Sequence, residues 1–143
     1  MTEKKHNYIA GEWQPGVDQV ENQNPSDLSD LIGLYAQADL DQIDLALDAA
    51  GEAQKIWAQT GLEPRQSILQ AIGDELIARS AELGELLSRE EGKPLVEGKG
   101  EVHRAGQFFT YFAAEVLRQI GDTADSVRSG IEVHVQRDPV GVV

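Results

Sequence analysis

A chain of 143 residues is long enough for one ordinary domain, and 41% hydrophobic with 26% charged residues is the balance of a soluble globular protein. Twelve basic residues against 25 acidic ones leave a formal charge of −13, which repels phosphate backbones and anionic lipid and so argues against nucleic-acid and membrane partners. No cysteine is present, so these residues hold no disulfide, no thiolate metal ligand and no thiol nucleophile.

The start has two lysines, Lys4 and Lys5, with no apolar run behind them; that is no secretory signal, and the cytoplasm is the default expectation. Tyr8–Trp13 sets two short β-prone pairs around Ala10-Gly11, which predicts a small hairpin because glycine accepts the positive φ of a tight turn. Asn24-Pro25-Ser26-Asp27 is turn chemistry, and Leu31–Ala36 reads as a strand.

From Asp39 the period lengthens, and Ile43, Leu47, Ala50, Ala53 and Trp57 fall on one helical face. Asp39 with Gln42 predicts a capping box, and Thr60 with Glu63 predicts another at the start of a second helix, where Pro64 is tolerated in the first turn. That helix carries Ile68, Leu69, Ile72 and Leu76, with a fresh start at Ser80 and a stop at Gly92. A third apolar stripe, Val102, Ala105, Phe109, Phe112, Val116 and Ile120, predicts a helix from Leu95 to Ile120 ended by Gly121. Gly98, Gly100 and Gly106 inside it each cost about 1 kcal/mol relative to alanine, so either the first turns fray or something packs close against the backbone. Phe109, Phe112, Trp13 and Trp57 are expected to be packing residues.

Beyond Asp122 the period returns to two, with Ile131, Val133 and Val135 opposite Glu132, His134 and Gln136, which predicts a half-exposed strand. Val140–Val143 reads as the beginning of a strand buried on both faces. Such a strand needs covering layers, so the chain is expected to be a piece of a longer protein.

Candidate chemistry is sparse. His6, His103 and His134 lie far apart with no metal-ligand spacing. Gly98–His103 lacks the third glycine of a dinucleotide fingerprint and has no strand leading into it. Glu90-Glu91 reads as a solvated helix end, and Ser88, Ser126 and Ser129 have no histidine at a recognisable spacing.

The order of short motifs nevertheless resembles the aldehyde dehydrogenase superfamily along essentially the whole chain. They are Tyr8–Trp13, Asn24-Pro25, Ile32-Gly33, Ala46 with Ala49-Ala50, Ala53 and Trp57, Glu63–Arg65 before Ile68-Leu69, Glu91–Pro94, Gly100–Val102 and Arg137–Val143. Within the superfamily, Arg104–Arg118 followed by Ser126–Gly130 looks most like the α-ketoglutaric semialdehyde (2,5-dioxovalerate) dehydrogenases, with succinate-semialdehyde dehydrogenases the nearest competitor.

The resemblance implies an α/β fold, the helix-rich N-terminal part of a Rossmann-like cofactor domain with a hairpin at its start and an oligomerisation strand near its end. Residues 1–122 would belong to the cofactor domain, 123–138 to the oligomerisation segment, and 139–143 to the start of the parallel cofactor sheet. It implies oxidation of 2,5-dioxopentanoate to 2-oxoglutarate through a cysteine thioester with NAD or NADP. An asparagine and a backbone amide would stabilise the oxyanion, and a glutamate would activate the hydrolytic water. Every one of those groups is expected after Val143, so no catalytic, cofactor-binding or metal residue is assigned here and the chain alone is expected to be inactive. The partners implied are a small aldehyde and further copies of the protein, as dimer or tetramer through residues 131–137.

The resemblance also places the third helix at the mouth of the aldehyde tunnel, which makes Arg104 and Phe108 the substrate-tunnel candidates. A guanidinium there could fork onto the distal carboxylate of a semialdehyde acid. The bland alternative is a solvated arginine pairing near Glu101, with Phe108 as core. An alternative from another class is a short helical module that docks on a partner through residues 131–137.

Overall fold

The computed structural model describes residues 4–118 and 121–143. Lys4–Lys5 (β1), Asn7–Ile9 (β2) and Glu12–Gln14 (β3) lead into two longer strands, Asp18–Asn24 (β4) and Asp27–Gln37 (β5). β2 and β3 form the expected hairpin, with Tyr8 opposite Trp13. Its turn residues Ala10 and Gly11 take φ of 53° and 85°, the twist that suits a two-residue loop. The Tyr8 and Trp13 rings meet at a tilt of 52° across the strands with centroids 4.9 Å apart, yet both stay largely exposed, so Trp13 is not the core residue expected of it.

β4 and β5 pair antiparallel across the turn Pro25-Ser26, where Asn24 Oδ1 accepts the Ser26 N–H at 2.9 Å. β1 joins the far side of β5 in parallel, giving the order β1-β5-β4.

Leu40–Gln59 (α1) starts where expected: Asp39 is its N-cap and accepts the Gln42 N–H at 2.9 Å. The box is only half closed, because the Gln42 side chain donates instead to the Pro15 carbonyl at 2.9 Å and ties the helix to the strand region. Leu62–Ala78 (α2) has Gly61 as its N-cap with no side-chain hydrogen bond. The expected Thr60–Glu63 box is therefore absent. Thr60 instead closes α1, its hydroxyl donating to the Ile56 carbonyl at 3.0 Å, and Pro64 on the third helical position has no N–H to be capped.

Ser80–Glu91 (α3) restarts after Arg79, as the sequence suggested, and Arg79 clamps the joint by bonding Glu82 at 2.6 and 2.9 Å and Glu75 at 3.4 Å. Gly92 ends α3 in the left-handed region at φ 73°. Leu95–Val116 (α4) stops earlier than the stripe implied, at the C-cap Leu117; Ile120 lies outside the described residues, and Gly121 is not the terminator.

The helices pack backbone to backbone. A methyl group on Gly106 of α4 would sit 2.6 Å from Ile77 Cγ1 and 2.8 Å from the Gly73 carbonyl of α2. One on Gly98 would overlap the Ser88 hydroxyl of α3. Of the two expectations for these glycines, close packing is the one realised, at Gly98 and Gly106, while Gly100 faces open space.

Four polar residue pairs fasten the β4–β5 sheet to α3. Arg89 bonds Asp30, Glu90 Oε1 accepts from Tyr35 and Asn22 at 2.8 and 2.9 Å, and Ser26 donates to the Gly92 carbonyl at 2.7 Å.

Asp122–Asp125 (β6) and Glu132–Val135 (β7) close the described chain as an antiparallel pair. β7 is shorter than residues 131–137 and is exposed on both faces. β6, rich in Asp and Thr, carries no alternation that would have announced it. Residues 139–143 form no strand, because no described neighbour offers them a ladder; Val140 and Val143 are almost fully exposed.

Candidate functional site

The groove that holds the two sequence candidates lies on the outward face of α4. Its glycine-bearing face is pressed on α2 and α3, which turns Arg104, Gln107, Phe108, Tyr111 and Phe112 to the other side. These five residues line a hollow of about 280 Å³. Phe108, Tyr111 and Phe112 are all more than half exposed, and Tyr111 meets Phe112 edge-on at 5.2 Å. Phe112 is thus a groove residue, not a core one, whereas Phe109 is half-buried.

Arg104 lies across the Phe108 ring, its guanidinium carbon 4.9 Å from the ring centroid, a cation–π geometry. Its Nη1 donates to Gln107 Oε1 at 3.1 Å. The alternative partner Glu101 is already engaged: Lys93 Nζ reaches Glu101 at 2.6 Å and Glu91 at 2.5 Å. Those two carboxylates, Glu101 foremost, raise the Lys93 pKa, so Lys93 stays an ammonium ion and offers no free amine for covalent chemistry. The structure brings the two candidates together and adds Gln107 and Tyr111. The signal that could have found these is their spacing, three and seven residues beyond Arg104 on the same helix.

A second, more open hollow of about 600 Å³ lies between the end of α1 and the last residues, lined by Ala50, Ala53, Ile56, Trp57, Val142 and Val143. Trp57 is 43% exposed there rather than core.

The histidines stay apart. His103 faces Gln107 at 3.4 Å and His134 faces Glu132 at 3.3 Å, and among the described residues no three His, Asp or Glu side chains gather as metal ligands. Gly98–His103 lies inside α4 and forms no phosphate loop. Ser126 accepts the Arg128 N–H at 3.1 Å as a turn cap, and the Ser88 hydroxyl donates to the Gly84 carbonyl at 2.8 Å. No helix among the described residues is long and apolar enough to cross a membrane.

Among the described residues, all four helix starts carry an acid in the first turn, Asp41, Glu63, Glu82 and Glu97. These carboxylates satisfy the helix dipoles and repel a second anion. None of the four is a ready cradle for phosphate.

A profile of the aldehyde dehydrogenase family matches residues 13–143. Alpha-ketoglutaric semialdehyde dehydrogenase of Bacillus subtilis is 36% identical over 141 residues, covering 96% of this chain and 28% of that protein. Succinate-semialdehyde dehydrogenase (NADP+) of Escherichia coli is 31% identical over 94% of this chain and 28% of its own length. A betaine aldehyde dehydrogenase of Staphylococcus aureus, solved with NAD+, superposes with a TM-score of 0.84 at 25% identity over 95% of this chain and 28% of the other. The chain therefore spans 28% of the length of each of these proteins. The α/β class expected from the sequence is the class of these neighbours, and with residues 13–143 carrying the family's pattern, this chain belongs to the aldehyde dehydrogenase family.

Proposed function

We propose that this chain is the N-terminal portion of an NAD(P)-dependent, cytoplasmic aldehyde dehydrogenase that oxidises a semialdehyde bearing a distal carboxylate, 2,5-dioxopentanoate to 2-oxoglutarate. Residues 1–122 then belong to its cofactor domain, 123–138 to an oligomerisation segment, and 139–143 to the start of the parallel sheet. The observation that carries the substrate class is the α4 groove, where Arg104 presents a cation on an exposed aromatic wall in a chain of net charge −13. A carboxylate is the ligand that a guanidinium on such a wall holds best, since the pairing is bidentate and charge-assisted.

The likeness to the Bacillus subtilis enzyme supports 2,5-dioxopentanoate, and the likeness to the Escherichia coli enzyme favours succinate semialdehyde as the second reading. Both substrates end in a carboxylate, so both fit Arg104.

The described residues do not fit the dinucleotide, because every helix start is already negatively charged and no glycine loop joins a strand to a helix. No step through the cofactor is therefore assigned to them. The chain also contains no cysteine, so a thiol nucleophile has to come from outside these 143 residues.

The test compares the full-length protein with the 143-residue polypeptide, each given 2,5-dioxopentanoate, succinate semialdehyde, and NAD or NADP. Cofactor reduction by the full-length protein alone is the expected result. Turnover by the short polypeptide, or none by the full-length protein with either aldehyde, overturns the reading.

A further inference from the structure

We infer that Gln107 is a positioning residue that sets acid specificity by holding Arg104 across Phe108 with the Nε–Nη2 edge of its guanidinium open for a carboxylate. The inference rests on the reading above that the α4 groove receives the aldehyde.

An exposed arginine ordinarily samples many rotamers, and ordering it on ligand binding costs affinity. Here two contacts remove that freedom in advance. The Phe108 ring supports the guanidinium plane from one side at 4.9 Å, and Gln107 Oε1 accepts from Nη1 at 3.1 Å. Both partners lie within one helical turn of Arg104, so the arrangement is built into α4 itself and needs no distant element.

The Gln107 contact leaves one fork whole. It uses one Nη1 N–H, no carboxylate of the described residues is paired to Arg104, and the parallel N–H bonds of Nε and Nη2 stay untouched for an incoming anion. A neutral amide is the right partner for this task. It orients the guanidinium without neutralising it, whereas a glutamate at the same position would compete with the ligand for the charge. The Gln107 amide is itself steadied on its other side, where Nε2 lies 3.4 Å from His103 Nε2.

The ligand class is a short aliphatic carboxylate whose chain lies along the faces of Phe108, Tyr111 and Phe112. The same geometry would take the acid product as readily as the semialdehyde, because the distal carboxylate is common to both.

The experiment uses the full-length protein and two readouts. The first is the ratio of kcat/KM for succinate semialdehyde to that for butanal, an uncharged aldehyde with the same number of carbons. Arg104→Met is expected to lower this ratio by about tenfold or more, and Arg104→Lys by less, since an ammonium keeps the charge and loses the fork. Gln107→Glu is expected to lower it as well, and Gln107→Leu by several-fold, both through KM rather than kcat. A Gln107 that merely supported the helix would show no difference between the two aldehydes. The second readout is calorimetric titration with glutarate, which weakens in Arg104→Met and in Gln107→Glu. An unchanged ratio and unchanged glutarate affinity in Arg104→Met overturn the inference while leaving aldehyde oxidation standing. A protein that oxidises no aldehyde yet binds glutarate through Arg104 overturns the functional reading and keeps the carboxylate site.

Discussion

Arg89 and Asp30 meet through two parallel hydrogen bonds, Nε to Oδ2 at 2.8 Å and Nη2 to Oδ1 at 2.7 Å, joining α3 to β5 across 59 residues of chain. The guanidinium of Arg89, helped by the Asn24 amide, holds the Asp30 carboxyl down to about 2 from its ordinary 3.8. Because the folded value is the lower one, the contribution of Asp30 to stability is complete above 3.8 and fades as pH falls toward about 2. Denaturant midpoints of the full-length protein and its Asp30→Asn variant should therefore differ near neutrality and converge in acid. A gap that stays constant down to the lowest pH measured would count against the pair.

Gly106→Ala should destabilise the protein by about 1–3 kcal/mol, because the added methyl meets Ile77 and the Gly73 carbonyl, an overpacking cost larger than the gain of about 1 kcal/mol in helix propensity. Gly100→Ala, on the same helix but facing open space, should raise stability by up to about 1 kcal/mol. Opposite signs in thermal melts of the two variants are the expected outcome. A stabilised Gly106→Ala would mean that α2 and α4 lie further apart than described.

Burial, and then the Glu90 carboxylate, raise the phenol pKa of Tyr35. Glu90→Gln should bring its titration down toward 10.0 without reaching it, since the larger cause remains. Because the folded value is the higher one, the stability linked to Tyr35 is full below 10.0 and is lost as pH rises above 10.0 through the raised folded value. Tyr35→Phe should cost about 1 kcal/mol at neutral pH. Spectrophotometric titration of the phenol checks the first statement, and a Glu90→Gln curve identical to the wild type refutes it.

Ile131, Val133 and Val135 are each about half exposed, at 48%, 45% and 53%, on a hairpin with an open edge. An apolar edge of this kind pairs with another chain unless charge opposes it. If the proposed oligomerisation segment acts through this edge, Val133→Lys should shift the full-length protein toward smaller species in analytical ultracentrifugation. An unchanged sedimentation profile removes this strand from the assembly interface.

Much of the fold was legible because its signals are local. The Asp39 cap, the left-handed Gly92, the restart at Ser80 and the Ala10-Gly11 turn each depend on a few adjacent residues whose backbone preferences dominate. What was illegible depends on partners distant in sequence. β1 and β6 are strands because β5 and β7 offer them hydrogen bonds, and neither Lys4-Lys5 nor Asp122–Asp125 has an alternation of its own. Phe112, Trp13 and Trp57 read as core because large aromatics usually are, yet their neighbours here are few and they stay exposed. At the α4 groove, Arg104 and Phe108 were visible through family resemblance. Gln107 was not, because a glutamine matters there only through the direction in which it holds another side chain.

The glycine-to-glycine crossing of α2 and α4 reaches further than packing. Gly106 directly precedes Gln107, and backbone touching backbone leaves α4 no room to roll about its own axis. The direction in which Arg104 leaves the helix is consequently set from behind, by the Gly73 carbonyl and the Ile77 side chain against which Gly106 lies. On the proposed reading, an acid entering the hollow meets a surface whose aim was decided where two helices lack side chains.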